Sequence, residues 1–152
     1  MHSKCYPLER LVLAVTEHTS IDDYVSIAAE LAPLRREGLR LAIDYAGAGF
    51  ASFRHIARLN PDVIKLDVSL VRAIDSDKKV RALAAALILF AEETGSNVIS
   101  EGVETKAELA ALCDLKLANV QGFLLGTPSR IDELKLVGRS RQRTSWDPRS
   151  RD

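Results

Sequence analysis

The chain has 152 residues, enough for one domain with a core of its own. Lysine plus arginine equals aspartate plus glutamate, 21 each, so no global field favours nucleic acid or an anionic membrane surface. Cys5 and Cys113 have no metal-ligand spacing and read as reduced thiols, residues 83–91 are too short an apolar stretch to span a bilayer, and residues 1–10 lack the apolar core of a signal peptide.

The expectation is therefore a cytoplasmic protein, with neither nucleic acid nor membrane as partner. Residues 1–10 form a lead-in, followed by a regular alternation. The run at 11–16 is apolar and valine-containing, which predicts a buried strand. A helix follows, with Thr19 or Ser20 as cap, acids in its first turn, basic residues at its end before Gly38, and Pro33 kinking or dividing it. Residues 39–44 predict a second strand, 50–59 a short helix closed by Asn60-Pro61, and 62–67 a third strand.

Residues 76–95 predict a long helix with Ser76 as cap and Gly95 as terminator. A fourth strand spans 96–100. A helix at 105–115 carries a capping box, Thr105 with Glu108 three residues on. Residues 117–126 contain the fifth strand, and a last short helix runs from near Ser129 to Gly138. The segment 139–152 has five arginines, one proline and almost no apolar content, and reads as a basic, disordered tail.

Strand and helix alternate with short connections, which predicts an α/β fold with a parallel sheet covered by helices. The chemistry-bearing residues are expected just past the strand ends: Glu17, Asp44, Lys65 and Asp67, Glu101 and Glu104, and Gln121. In parallel α/β folds the carboxyl ends of the strands share one face, where ligands bind. Taken singly, each residue reads as a helix cap or a buried polar pair; the recurrence of the pattern favours one shared site.

The densest signal is EGVET at 101–105. Glu101 and Glu104 on one turn can bind a divalent cation or activate water. Lys65 suits a phosphate or a metal-bound hydroxide, Gln121 adds an amide, and Gly122 permits close approach. Carboxylates with lysine and glutamine fit metal-assisted phosphoryl chemistry better than acyl transfer. No serine–histidine or cysteine–histidine arrangement supports the latter. His2, His18 and His55 form no metal-binding pair.

Four segments, LAIDYAGAGFAS at 41–52, DVIKLD at 62–67, VISEGVET at 98–105 and VQGFLLGTPS at 120–129, resemble in order and spacing the motifs of the EAL domain, the cyclic di-GMP phosphodiesterase family. The resemblance covers roughly residues 10 to 130. It implies a TIM-like (β/α) barrel with its site at the strand carboxyl ends, and Mg or Mn ions that help hydrolyse cyclic di-GMP. It places Glu101, Lys65 and Gln121 at catalytic positions and Asp44 at a metal position. It gives Glu17 and Glu104 loop-fixing or supporting roles, and Gly122 and Phe123 nucleotide contacts.

The departures from that pattern matter as much as the match. A complete barrel of this kind needs roughly 250 residues. The strand with the Glu-Ala-Leu motif, and the strand supplying an asparagine ligand, have no counterpart in this sequence. Where the resemblance calls for two further metal-binding carboxylates stand Ala14 and Tyr45. A pair of divalent ions needs several shared carboxylates to offset its own repulsion. The expectation is a partial, degenerate domain at 11–138 with an incomplete (β/α) barrel of about five parallel strands. It would hold no metal tightly and act by protein–protein interaction, with cyclic di-GMP as a candidate ligand. Its open sheet edges favour a homo-oligomer or a protein partner. The alternative is a metal-dependent phosphodiesterase, weakly active or completed by another chain.

Overall fold

The computed structural model describes residues 7–16, 21–46 and 50–130. Five parallel strands lie in chain order: β1 (Val12–Thr16), β2 (Arg40–Ala46), β3 (Val63–Leu66), β4 (Asn97–Ser100) and β5 (Asn119–Val120). Each pairs with the next, as the alternation of strand and helix requires. Between them run α1 (Tyr24–Arg36), α2 (Phe50–Leu59), α3 (Val68–Val71), α4 (Lys78–Thr94) and α5 (Lys106–Asp114). The α/β class, the five parallel strands and the covering helices match the sequence expectation.

The helix boundaries differ in instructive ways. Helix α1 is capped by Asp23, whose carboxylate accepts the Ser26 N–H at 3.0 Å, so its acids precede the first turn. The expected caps Thr19 and Ser20 lie outside the described residues. Pro33 does not divide α1, which runs unbroken through it. It sits in the last turn, where its missing N–H deprives only the exposed Ala29 carbonyl of a partner. Asp77, not Ser76, caps α4, accepting from the Lys79 and Val80 N–H groups. Gly95 ends that helix in the left-handed conformation, φ +73°. The single turn α3 was not anticipated. Its cap is Asp67, which accepts from Ser69 N at 2.8 Å. Ser129 and Arg130 are not helical; the rest of the expected last helix and the basic tail lie outside the described residues.

Side chains alternate across the sheet. Leu41, Ile43, Ile64, Leu66 and Val98 point to the helix-covered face and pack with Leu70, Val71, Leu87, Ile88 and Leu112. Burial of each such side chain is worth about 1.5–3 kcal/mol, and this layer is the core. The opposite face carries Ala42, Asp44, Val63, Lys65 and Ile99, and it is only partly buried. Strand β1, at the sheet edge, exposes Val12 and Leu13, which point to opposite faces. Among the described residues nothing pairs with its outer edge.

Candidate functional site

Asp44 lies in the last part of β2, where register pairs it with Thr16 of β1. Two residues earlier on the same face, Ala14 pairs with Ala42. Between Ile43 and Ala46 the β2–β3 register shifts, and Ala46 turns into the core beside Leu66. Lys65 is the penultimate residue of β3 and pairs with Ile99 of β4. Asp44 and Lys65 are thus within their strands, whereas Glu101 and Gln121 follow β4 and β5 directly.

The four residues form one row across the strand ends. Lys65 Nζ donates to Asp44 Oδ1 at 3.0 Å and to Glu101 Oε1 at 2.7 Å. Gln121 Nε2 donates to the same Glu101 oxygen at 2.9 Å. Burial works against the Lys65 charge, but the hydrogen bonds to Glu101 and then Asp44 outweigh it and raise its pKa above lysine's ordinary value. The two carboxylates are therefore held to one ammonium. The fit across sequence separations of more than 70 residues comes from the parallel register alone.

Two anticipated residues do not join the row. Asp67 is spent on the α3 cap. Glu104, expected to share a mouth with Glu101, turns outward; its Oε1 lies 3.4 Å from Arg72 Nη2, with both side chains well exposed. Glu17 lies outside the described residues, as does the side chain of Tyr45. Among the described residues no group of three or more His, Cys, Asp or Glu could hold a metal ion.

What fixes the 101–105 turn is Glu108. Its Oε2 accepts the N–H groups of both Glu104 and Thr105 at 2.9 Å, while its own N–H donates to Thr105 Oγ1. Desolvation opposes the Glu108 charge, but the backbone hydrogen bonds from Glu104 and Thr105 prevail and lower its pKa. The capping box was visible in the sequence; the second bond, to Glu104 N, was not. Arg72 had no sequence signal at all.

Next to the row opens a cavity of about 610 Å³ whose lining includes Gln121, Gly122, Phe123, Leu125 and Glu104. Gly122 is required there by packing. A Cβ at this position would meet the backbone of Val103, whose N–H donates to the Gln121 carbonyl. Gly102, at φ +73°, rests against Val68, leaving 2.7 Å between its would-be Cβ and Val68 Cγ2. Phe123, by contrast, is 65% exposed.

Parallel βα units with an acid–lysine–acid–amide row at the strand carboxyl ends define a (β/α)-barrel type of domain with a polar strand-end site. The EAL domain family model matches residues 3–128, and the chain belongs to that family. It is 31% identical over 124 residues to the bifunctional diguanylate cyclase/cyclic di-GMP phosphodiesterase MucR of Pseudomonas aeruginosa, covering 82% of this chain and 18% of that protein. It is 33% identical over 124 residues to the probable cyclic di-GMP phosphodiesterase PdeD of Escherichia coli, covering 81% of this chain and 23% of that protein. The chain thus spans about a fifth of the length of these curated relatives.

Among solved structures, the EAL domain of Mycobacterium smegmatis DcpA superposes with a TM-score of 0.74 at 30% identity, over 80% of this chain and 55% of that one. The manganese/cyclic di-GMP complex of Klebsiella pneumoniae BlrP1 gives 0.71 at 34% identity, over 78% and 30%. No helix among the described residues is long and apolar enough to cross a membrane.

Proposed function

We propose that this domain recognises cyclic di-GMP at its strand ends without hydrolysing it, and acts through contact with another protein chain. The observation that carries the reading is Lys65 Nζ, bonded at once to Asp44 and Glu101, in a chain with Ala14 and Tyr45 at the other acid positions. Two carboxylates sharing one ammonium leave a net charge of one negative unit. That donor set does not fit a pair of divalent ions, which needs several bridging carboxylates. No hydrolytic step through a metal follows from these residues.

Binding needs less. A phosphodiester oxygen can accept the third Lys65 N–H, while Asp44 and Glu101 hold the ammonium in place. Gly122 and Phe123 border the adjoining cavity and take the nucleoside end. Homology supports the ligand, since a relative of the same fold is seen in complex with cyclic di-GMP. The protein contact runs through the open edge of β1, where Leu11, Val12 and Leu13 are all exposed.

Calorimetric titration of cyclic di-GMP into the purified chain with Mg²⁺ tests the nucleotide reading. Saturating heat with a defined stoichiometry, and no linear dinucleotide on chromatography, is the expected result. Sustained metal-dependent turnover above a Glu101→Ala control would make the domain an enzyme. An absence of heat would remove the nucleotide from its function.

A further inference from the structure

Pairing with β2 fixes which backbone groups β1 turns outward. Leu11 O accepts from Arg40 N at 3.2 Å. Alternation along the strand then directs the groups of Leu13 and Val15 to β2, and those of Val12 and Ala14 to the open edge. An antiparallel strand laid on that edge must bring its own outward residues opposite these. A second copy of β1 does so when the register is centred on Ala14. Ala14 then exchanges N–H···O bonds with its counterpart, Val12 falls opposite Thr16, and Leu13 falls opposite Val15. Alanine is small enough to meet itself at the two-fold axis. Leu13, 42% exposed, gains Val15 as an apolar neighbour on the helix-covered face.

The same register carries charge to the site. The helical turn Leu8–Arg10 precedes β1. In an antiparallel second copy this turn runs past the carboxyl end of β1, on the Asp44 side of the row. Glu9 lies against Gly38 of its own chain, whereas Arg10 is exposed. The guanidinium thus arrives beside a row in which two carboxylates share one ammonium, leaving one net negative unit. Two strand spacings, about 10 Å, separate the added strand from that of Asp44, which is about one Debye length at 0.1 M salt. Cyclic di-GMP carries two phosphates, and Lys65 has one N–H left to give. A second cation is what the row lacks, and this charge complementarity favours a second copy as the occupant of the edge.

We propose that two copies pair antiparallel along β1 about Ala14, and that each copy's Arg10 supplies a cation to the other's strand-end site. The inference rests on the β1 contact and the nucleotide reading above, and adds the identity of the partner, the register and the residue it brings. Pairing and binding are then linked. The pair binds cyclic di-GMP more tightly than the single chain, and the ligand tightens the pair by the same factor.

The test has two parts, both on the full chain. With Cys5 and Cys113 changed to serine, Ala14→Cys should form a disulfide between two copies under mild oxidation. Cα atoms of a hydrogen-bonded antiparallel pair lie about 5.5 Å apart, inside the disulfide range. Val12→Cys alone should not cross-link, but it should when mixed with Thr16→Cys. Equal cross-linking by Val12→Cys alone would mean another register and overturn the proposal. In calorimetry, Arg10→Gln should weaken cyclic di-GMP about tenfold while the dimer persists in sedimentation. In a Val12→Lys background the same change should leave the affinity where it was. No loss in the dimer, or an equal loss in both backgrounds, would overturn the shared site. A monomeric chain that still binds cyclic di-GMP would sink this inference and leave the nucleotide reading standing. A cross-linked pair that binds none would remove the nucleotide reading, and the role of Arg10 with it.

Discussion

Gly122 lies directly on the peptide of Val103, and that contact joins the end of β5 to the turn that carries Glu101. The Val103 N–H donates to Gln121 O and the Val103 carbonyl accepts from Leu124 N, so the two segments are laced on both sides of the glycine. A Cβ at position 122 would collide with backbone, which cannot move aside as a side chain can. Gly122→Ala should therefore cost about 1–3 kcal/mol in stability, the range for forced overpacking. It should also separate Gln121 from Glu101. Denaturant unfolding reads the first effect. The Gln121 side-chain amide resonances in NMR read the second.

Glu108 gives the turn its acid sensitivity. Its pKa is lower in the fold than the ordinary 4.5, so the carboxylate binds its proton less readily when folded. The stabilisation is present above pH 4.5 and is lost as pH falls through the lowered folded value. Glu108→Gln should cost roughly 1.5–3 kcal/mol at neutral pH, the range for hydrogen bonds to a charged acceptor. The difference from the unsubstituted chain should shrink as pH falls below 4.5 and through the lowered folded value, as followed by urea midpoints across a pH series.

Lys65 acts in the opposite direction on the alkaline side. Its folded pKa lies above 10.5, so its stabilisation is complete below that pH and is lost as pH rises through the folded value. Lys65→Met leaves Asp44 and Glu101 facing each other without a counter-charge, at a cost of about 1 kcal/mol for a partly solvated cluster. Adding Glu101→Gln should restore part of that loss. A double-mutant cycle on melting free energies that came out strictly additive would mean that the bonds contribute nothing to the fold.

The edge of β1 predicts association. Its sequence, VLAVT, has no charge, proline or bulge to deter pairing. Sedimentation velocity should find a species larger than the monomer, and Val12→Lys should return it to the monomer. A monomeric unsubstituted chain would remove this edge from the proposed function.

The sheet was legible because its signals are local: apolar runs of strand length, glycine terminators and one capping box. The row Asp44, Lys65, Glu101 and Gln121 was legible because parallel strands put their carboxyl ends together. Glu104 misled because residues three apart on a turn need not share a direction; its backbone went to Glu108 and its side chain to Arg72. Asp67 misled for a related reason. A strand-end acid followed by a helical turn is also an ideal cap, and capping won. The Ser76 cap was displaced by its neighbour Asp77, whose carboxylate reaches the first backbone N–H groups of α4, and Asp23 does the same for α1.

The in-order strand sequence has a kinetic meaning. Since every strand pairs only with its neighbours in the chain, the sheet behaves like a short stack of similar units, and opening can begin at either end without disturbing the middle. Amide hydrogen exchange should then be graded, slowest at Ile43, Ile64 and Val98 and fastest toward the two-residue β5. Gln121 belongs to the quickly opening end, while Asp44 and Lys65 sit on the slow centre. A nucleotide of the kind proposed above would meet a standing wall at Asp44 and Lys65 and a more readily opened edge at Gln121.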